Sequence, residues 1–160
     1  MARMRDATPS ARGRALLLLM LPLLAACSTT LLNQRIERRG GGWTIALLKL
    51  TDGPNDYGWG GMMRYVPADD ERFLWARIEL RNDSSAQQKF NYDRCDLDLG
   101  DSRVLPGMVD HDYFINGPAP DVEEFEPGET VTRMLIFSYP EDQFPTRFSC
   151  GDVTMPLPRF

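Results

Sequence analysis

The residues best suited to chemistry are few. His111, the single histidine of the 160-residue chain, stands between Asp110 and Asp112, with Met108 just ahead of it. An imidazole, two carboxylates and a thioether offer nitrogen, hard oxygen and soft sulfur, a mixed donor set that would interest copper. A lone imidazole excludes sites needing two His ligands and leaves one group for general-base work. No serine lies in a G-x-S-x-G elbow, and no nucleophile can be paired with His111. Asp93, Asp96, Asp98 and Asp101 bring carboxylates close in sequence, but their spacing is not that of a calcium loop. Asp96 and Asp98 read instead as solvent-facing positions of a strand. Glu123, Glu124 and Glu126 read as a solvated acidic rim rather than a glycosidase pair. Tyr57-Gly-Trp-Gly-Gly-Met-Met63 is rich in glycine, yet it lacks the lysine and the following helix of a phosphate loop. The chain is therefore expected not to be an enzyme and to need no cofactor. Metal binding through Met108, Asp110, His111 and Asp112 stands as the alternative reading.

The elements that must position these residues begin after a leader. Residues 1–14 carry Arg3, Arg5, Arg12 and Arg14 against Asp6 alone, and the next twelve, Ala15 to Ala26, are apolar and include Pro22. As a helix that run would span roughly 18 Å, short of the ~30 Å hydrocarbon core, so it reads as an export signal rather than a permanent span. Leu24-Ala25-Ala26-Cys27 resembles the lipobox of bacterial lipoproteins. That resemblance implies a signal peptide over 1–26, diacylglyceryl transfer to the Cys27 thiol and cleavage before it. It also implies that Ser28 favours release to the outer membrane, where the domain would face the periplasm. An amino terminus with two or three acyl chains would hold the domain on a membrane surface.

Processing would turn a chain of net charge -5 into a 134-residue product at -8, since the leader carries four Arg and one Asp. An acidic product does not suit a phosphate backbone, and no nucleic acid partner is expected. Residues 27–42, with Arg35, Arg38, Arg39 and a closing Gly40-Gly-Gly42, show too little apolar periodicity to bury anything and are expected to form a lipidated tether.

From residue 43 to 160 the pattern is that of strands. Trp43 to Leu50 is apolar and bounded by glycines and by Asp52-Gly-Pro-Asn55. Phe73 to Arg81 alternates, with Leu74, Ala76, Ile78 and Leu80 on one face and Trp75, Arg77, Glu79 and Arg81 on the other. Cys95, Leu97 and Leu99 keep the period of two before a turn at Gly100-Asp101, with 102–105 returning as a hairpin partner. Glu129 to Tyr139 is apolar on both faces near its middle, as in an inner strand. Six to eight short strands over some 110 residues, with Gly and Pro between them, predict an all-β two-sheet sandwich.

With Cys27 consumed by lipid, an exported domain keeps Cys95 and Cys150, an even pair expected to oxidise to one disulfide. Closing a loop of this size would remove roughly 4 kcal/mol of denatured-state freedom in the chain-entropy treatment. A C-x-x-C spacing and a basic activator, which a catalytic thiol pair would need, are both missing.

Trp75-Ala-Arg-Ile-Glu-Leu-Arg-Asn82, Leu97-Asp-Leu-Gly-Asp101, and Phe125 to Phe137 with its Pro127-Gly-Glu129 turn resemble an immunoglobulin-like family of small exported bacterial domains and lipoproteins of unknown function, one member of which is a secreted immunoprotective antigen. Phe137-Ser-Tyr-Pro140 fills the family's "Phe-x-x-Pro" slot. The resemblance spans about residues 43–155 and implies an immunoglobulin-like fold and an exported location, but no chemistry. The long, acidic stretch 106–127 and the Cys pair depart from the pattern.

Aromatic and Met side chains concentrate in two segments expected to be loops: Tyr57, Trp59, Met62, Met63 and Tyr65 in one, Tyr113 and Phe114 in the other. Such groups give adaptable contact area. If the segments meet, Tyr57, Trp59, Met62, Met63, Tyr113 and Phe114 form one patch. The expectation is a lipid-anchored interaction or structural module at the cell envelope, joined to the membrane by its lipid and binding an envelope protein.

Overall fold

The computed structural model describes residues 28–59, 63–112 and 118–159, with Trp59 and Met63 described by their backbone alone. The described residues form fourteen strands: β1 (Thr29–Leu32), β2 (Ile36–Gly40), β3 (Trp43–Asp52), β4 (Tyr57–Trp59), β5 (Met63–Tyr65), β6 (Glu71–Asn82), β7 (Gln88–Asn91), β8 (Cys95–Asp98), β9 (Arg103–Val104), β10 (Met108–His111), β11 (Val122–Phe125), β12 (Thr130–Pro140), β13 (Arg147–Cys150) and β14 (Val153–Pro156).

They build a β-sandwich. One layer is the antiparallel sheet β1-β3-β6-β12-β10, with β2 also paired to β3. The facing layer is β14-β13-β8-β9. A single 3-10 turn over Tyr92–Arg94 carries β7 into β8, so the β11–β7 pair extends this second layer. The alternation read in the sequence sets the inner face: Leu74, Ala76, Ile78 and Leu80 of β6 are wholly buried, as are Leu135 and Phe137 of β12. They meet Phe90, Tyr92, Leu97, Phe125, Phe148 and Met155 of the other layer in one core. Rings cross between the layers edge to face, Trp43 on Phe90 and Phe125 with centroids 5.0 Å apart, and Phe137 on Phe148 at 6.3 Å. The hairpin at residues 97–104 forms with Leu97 opposite Val104.

Cys95 and Cys150 stand opposite each other on β8 and β13, fully buried and joined by a disulfide. The Pro127-Gly128 turn has Gly128 at φ 77°, a left-handed value that favours glycine. It is tied to the end of β6: the Asn82 amide donates to Glu129 O and Gly128 N donates to Asn82 O.

Two segments differ from expectation. Residues 29–40 are not a tether. They form β1 and β2, which share the edge of β3 on either side of a register shift near Leu47 and Lys49. Leu32 is buried in the core, and Leu31 and Ile36 pack against it. The charged β2 is held by backbone pairing and by Arg35, whose guanidinium reaches Glu37 at 2.8 Å and Glu79 of β6 at 2.7 Å. Ala46 lies between those two glutamates in register, and its small side chain leaves the arginine room to span them. Residues 106–127 likewise are not one long loop, because they contain β10 and β11.

Candidate functional site

The outward face of the large sheet is only partly polar. Strand register places Met108, Ile136, Trp75 and Thr51 in one row across β10, β12, β6 and β3, and Asp110, Met134, Arg77 and Lys49 in the next. Phe73, Trp75 and Ile136 form a second apolar cluster with Tyr57, and Tyr65, Met108 and Met134 pack against it. The β4–β5 hairpin supplies the cover: Tyr65 stacks on Phe73 with centroids 5.1 Å apart, and Tyr57 lies 5.9 Å from Trp75. The chain entering the hairpin is fixed to the same strand, with Trp75 Nε1 donating to Pro54 O at 3.0 Å and Phe73 N donating to Asn55 Oδ1 at 2.8 Å. Gly107 lies close beneath the cover: a Cβ there would stand 2.8 Å from the Tyr65 hydroxyl, and the Tyr65 side chain would have to shift.

Tyr57 of the first aromatic segment meets Asp110, three residues ahead of Tyr113. The Tyr57 hydroxyl donates to Asp110 Oδ2 at 2.8 Å. Both residues are buried, at 3% and 1% exposure. Tyr57 is thus a strut inside the cover rather than a contact on an exposed patch. Burial first, and the hydrogen bond to Asp110 second, push its phenol well above the ordinary value, so it stays a proton donor. The other carboxylate oxygen, Asp110 Oδ1, has no hydrogen-bond partner among the described residues.

The metal alternative loses its geometry here. Neighbouring strand residues point to opposite faces. His111 therefore sides with the core residue Val109, opposite Arg133 in register, while Met108 and Asp110 point outward. Met108 packs in the apolar cluster, and Asp112 forms an ion pair with Arg77. Among the described residues no group of three or more His, Cys, Asp or Glu is arranged to hold a metal ion. Lys49, Arg77, Asp112 and Met134 line a shallow depression of about 300 Å³ on this face. Composition gave no sign of Lys49 or Arg77. The available signal was outward-facing Phe73 and Trp75 beside Met134 and Ile136, an apolar area on two neighbouring strands that needs a cover.

Trp59 and Met63 close the hairpin opposite each other in register. Met62, Tyr113, Phe114 and the expected lipidation residue Cys27 lie outside the described residues.

The carboxylates dismissed as a solvated rim are not alike. Glu123 accepts from the Tyr92 hydroxyl at 2.6 Å and from Arg133, with the Arg133 and Glu123 side chains only 11% and 19% exposed. Glu124 instead faces solvent and pairs with Lys89. Asp98 pairs with Arg147 at 3.7 Å and accepts from Gly100 N in its turn. Asp96, expected to face solvent, retains only 14% side-chain exposure; Arg103 stands 3.9 Å away, and Oδ1 is buried without a hydrogen-bond partner among the described residues.

No protein-family model matches the chain, and no curated protein does. Solved structures do. A conserved hypothetical protein from Bacillus anthracis is 12% identical with a TM-score of 0.59, over 82% of this chain and 97% of that one. A functionally unknown protein from Listeria monocytogenes is 15% identical over 73% of this chain and 68% of that one, with a TM-score of 0.48. An uncharacterized β-sandwich protein from Clostridium difficile is 11% identical over 72% and 80%, with a TM-score of 0.45. At these identities the likeness concerns fold alone.

Proposed function

We propose that this chain is an exported, lipid-anchored β-sandwich of the immunoglobulin-like kind, acting at the cell envelope as a non-enzymatic interaction or structural module. The lipobox-like Leu24-Ala25-Ala26-Cys27 supports the anchor, and the acidic product at -8 suits an exported domain without a nucleic acid partner. The observation that carries the binding reading is the Tyr57–Asp110 hydrogen bond. It joins the residue two before Trp59 to the residue three before Tyr113, and so supports reading Trp59, Met62, Met63, Tyr113 and Phe114 as one surface. Tyr57 itself serves as the support of that surface.

Recovery of an envelope partner by the native chain and by a Trp59→Ala variant tests this reading. Loss of the partner with the fold retained is expected; equal recovery would remove the hairpin from the interface. Membrane fractionation of a Cys27→Ala variant tests the anchor. A mature-sized variant in the membrane fraction would be incompatible with lipidation.

A further inference from the structure

We propose that the end of the sandwich where β1 begins rests directly on the lipid bilayer, with Phe144 and the hollow beside it as the contact. This rests on lipidation at Cys27. Because residues 29–40 are strands rather than a tether, only Ser28 separates that cysteine from the sheet. Two residues of fully extended chain span about 7 Å. The acyl chains therefore enter the bilayer beside Thr29, and the surfaces around Thr29 lie against it.

Those surfaces can be traced contact by contact. Thr29 stands opposite Asp52 in register. Asp52 accepts from Arg72 at 2.9 Å, and the Arg72 guanidinium lies 5.0 Å from the centre of the Tyr139 ring and 5.5 Å from that of Phe144. Phe144 is 54% exposed, the most exposed large apolar side chain among the described residues. With Pro145, Thr146, Leu157 and Arg159 it walls a hollow of about 370 Å³. Leu157 is held there by its amide, which donates to Thr146 O at 2.9 Å. An aromatic ring over an apolar hollow with a guanidinium at its edge matches a headgroup and acyl boundary, the ring entering the apolar side and Arg159 meeting phosphate oxygens. The anchor keeps this face at high effective concentration near the lipid, so the contact need not be strong by itself. Exposed Glu141 and Asp142 beside it favour a zwitterionic surface over an anionic one. The opposite end, at Asn82 and the 83–87 connection, is carried away from the membrane by the length of β6, about 36 Å.

Depth-dependent fluorescence quenching by brominated phosphatidylcholine tests the orientation. The full lipidated chain is reconstituted into vesicles as Phe144→Trp and, at the far end, as Ser85→Trp, each read as a difference from the parent chain, and flotation reports anchoring. The emission added at 144 is expected to fall at least twofold in brominated vesicles, and that added at 85 to be unchanged. Flotation without quenching at 144 beyond that at 85 would overturn this orientation and leave the anchor standing. A parent chain that fails to float would remove the anchor and the orientation together. Because Phe144 is largely exposed and an indole can keep the Arg72 stack, the fold should survive the change, which an unchanged thermal transition verifies.

Discussion

The Tyr57 hydroxyl and Asp110 Oδ2 form a buried hydrogen bond, 2.8 Å long, that locks the β4–β5 hairpin onto the edge strand of the large sheet. With the phenol removed, the Asp110 carboxylate is left buried without that donor, a loss worth about 2 kcal/mol. Tyr57→Phe should therefore lower the urea midpoint. The double variant with Asp110→Ala should lose less than the two single changes added together, because each single change already forfeits the shared bond. Additive effects in a double-mutant cycle would separate the two residues.

Glu123 and Glu124 are neighbours in sequence and opposites in energetics. Removing Glu123 strands Arg133 in a mostly buried position and takes the acceptor from Tyr92, so Glu123→Ala should cost about 3 kcal/mol. Glu124→Ala removes a solvent-exposed pair with Lys89 and should cost less than about 0.5 kcal/mol. Chemical denaturation of both variants gives the comparison, and equal losses would return Glu123 to the surface.

The same contrast shows which parts of the fold sequence patterning could reveal. Period-two runs at Phe73–Arg81 and Cys95–Leu99 mark strands because one face is wholly apolar, and both become inner faces of the sandwich. Ile36-Glu-Arg-Arg-Gly40 carries no such pattern. Its strand is specified by an available edge of β3 and by Arg35 bridging Glu37 to Glu79 across Ala46, a relation between three strands that no local window contains. At the candidate site, composition picked out the aromatic segments, but placing Tyr57 inside and Asp110 beneath it needed the register of β10 against β12. A run of three acidic side chains cannot say which one meets an arginine from another strand.

Asp96 gives a pH-dependent test. Burial above all, with a smaller push from Asp98, holds its carboxyl above the usual range against the opposing pull of Arg103. The folded state then binds this proton more tightly than the unfolded chain. The group supports folding below the unfolded value, and that support is lost as pH rises through the folded value. At neutral pH the ionised side chain is a burden. Asp96→Asn should raise the unfolding midpoint at pH 7, and its advantage over the parent should shrink as pH falls through the raised folded value and be gone below about pH 4, the ordinary carboxylate value. A variant no more stable than the parent at pH 7 would mean that Arg103 and solvent fully compensate the charge.

Asn82 draws three connections together at the far end of the sandwich. Its side chain is wholly buried. Nδ2 donates to Ala86 O at 2.8 Å, Phe125 O at 3.1 Å and Glu126 O at 3.3 Å, while Oδ1 accepts from Ser84 N and Ser84 Oγ. Its backbone meanwhile holds the Pro127-Gly128 turn. Asn82→Asp keeps the shape but replaces the donor with an acceptor, setting a buried negative charge against three carbonyl oxygens. That should cost about 3 kcal/mol or more at neutral pH, because the three carbonyls lose their donor and face a buried charge that the two bonds from Ser84 offset only in part. Acid should recover part of the loss, since a protonated carboxyl can again donate to one carbonyl. Urea titrations of Asn82→Asp and the parent at pH 7 and pH 4 measure both effects; a loss under about 1 kcal/mol at pH 7 would mean that water, not Asn82, satisfies these carbonyls.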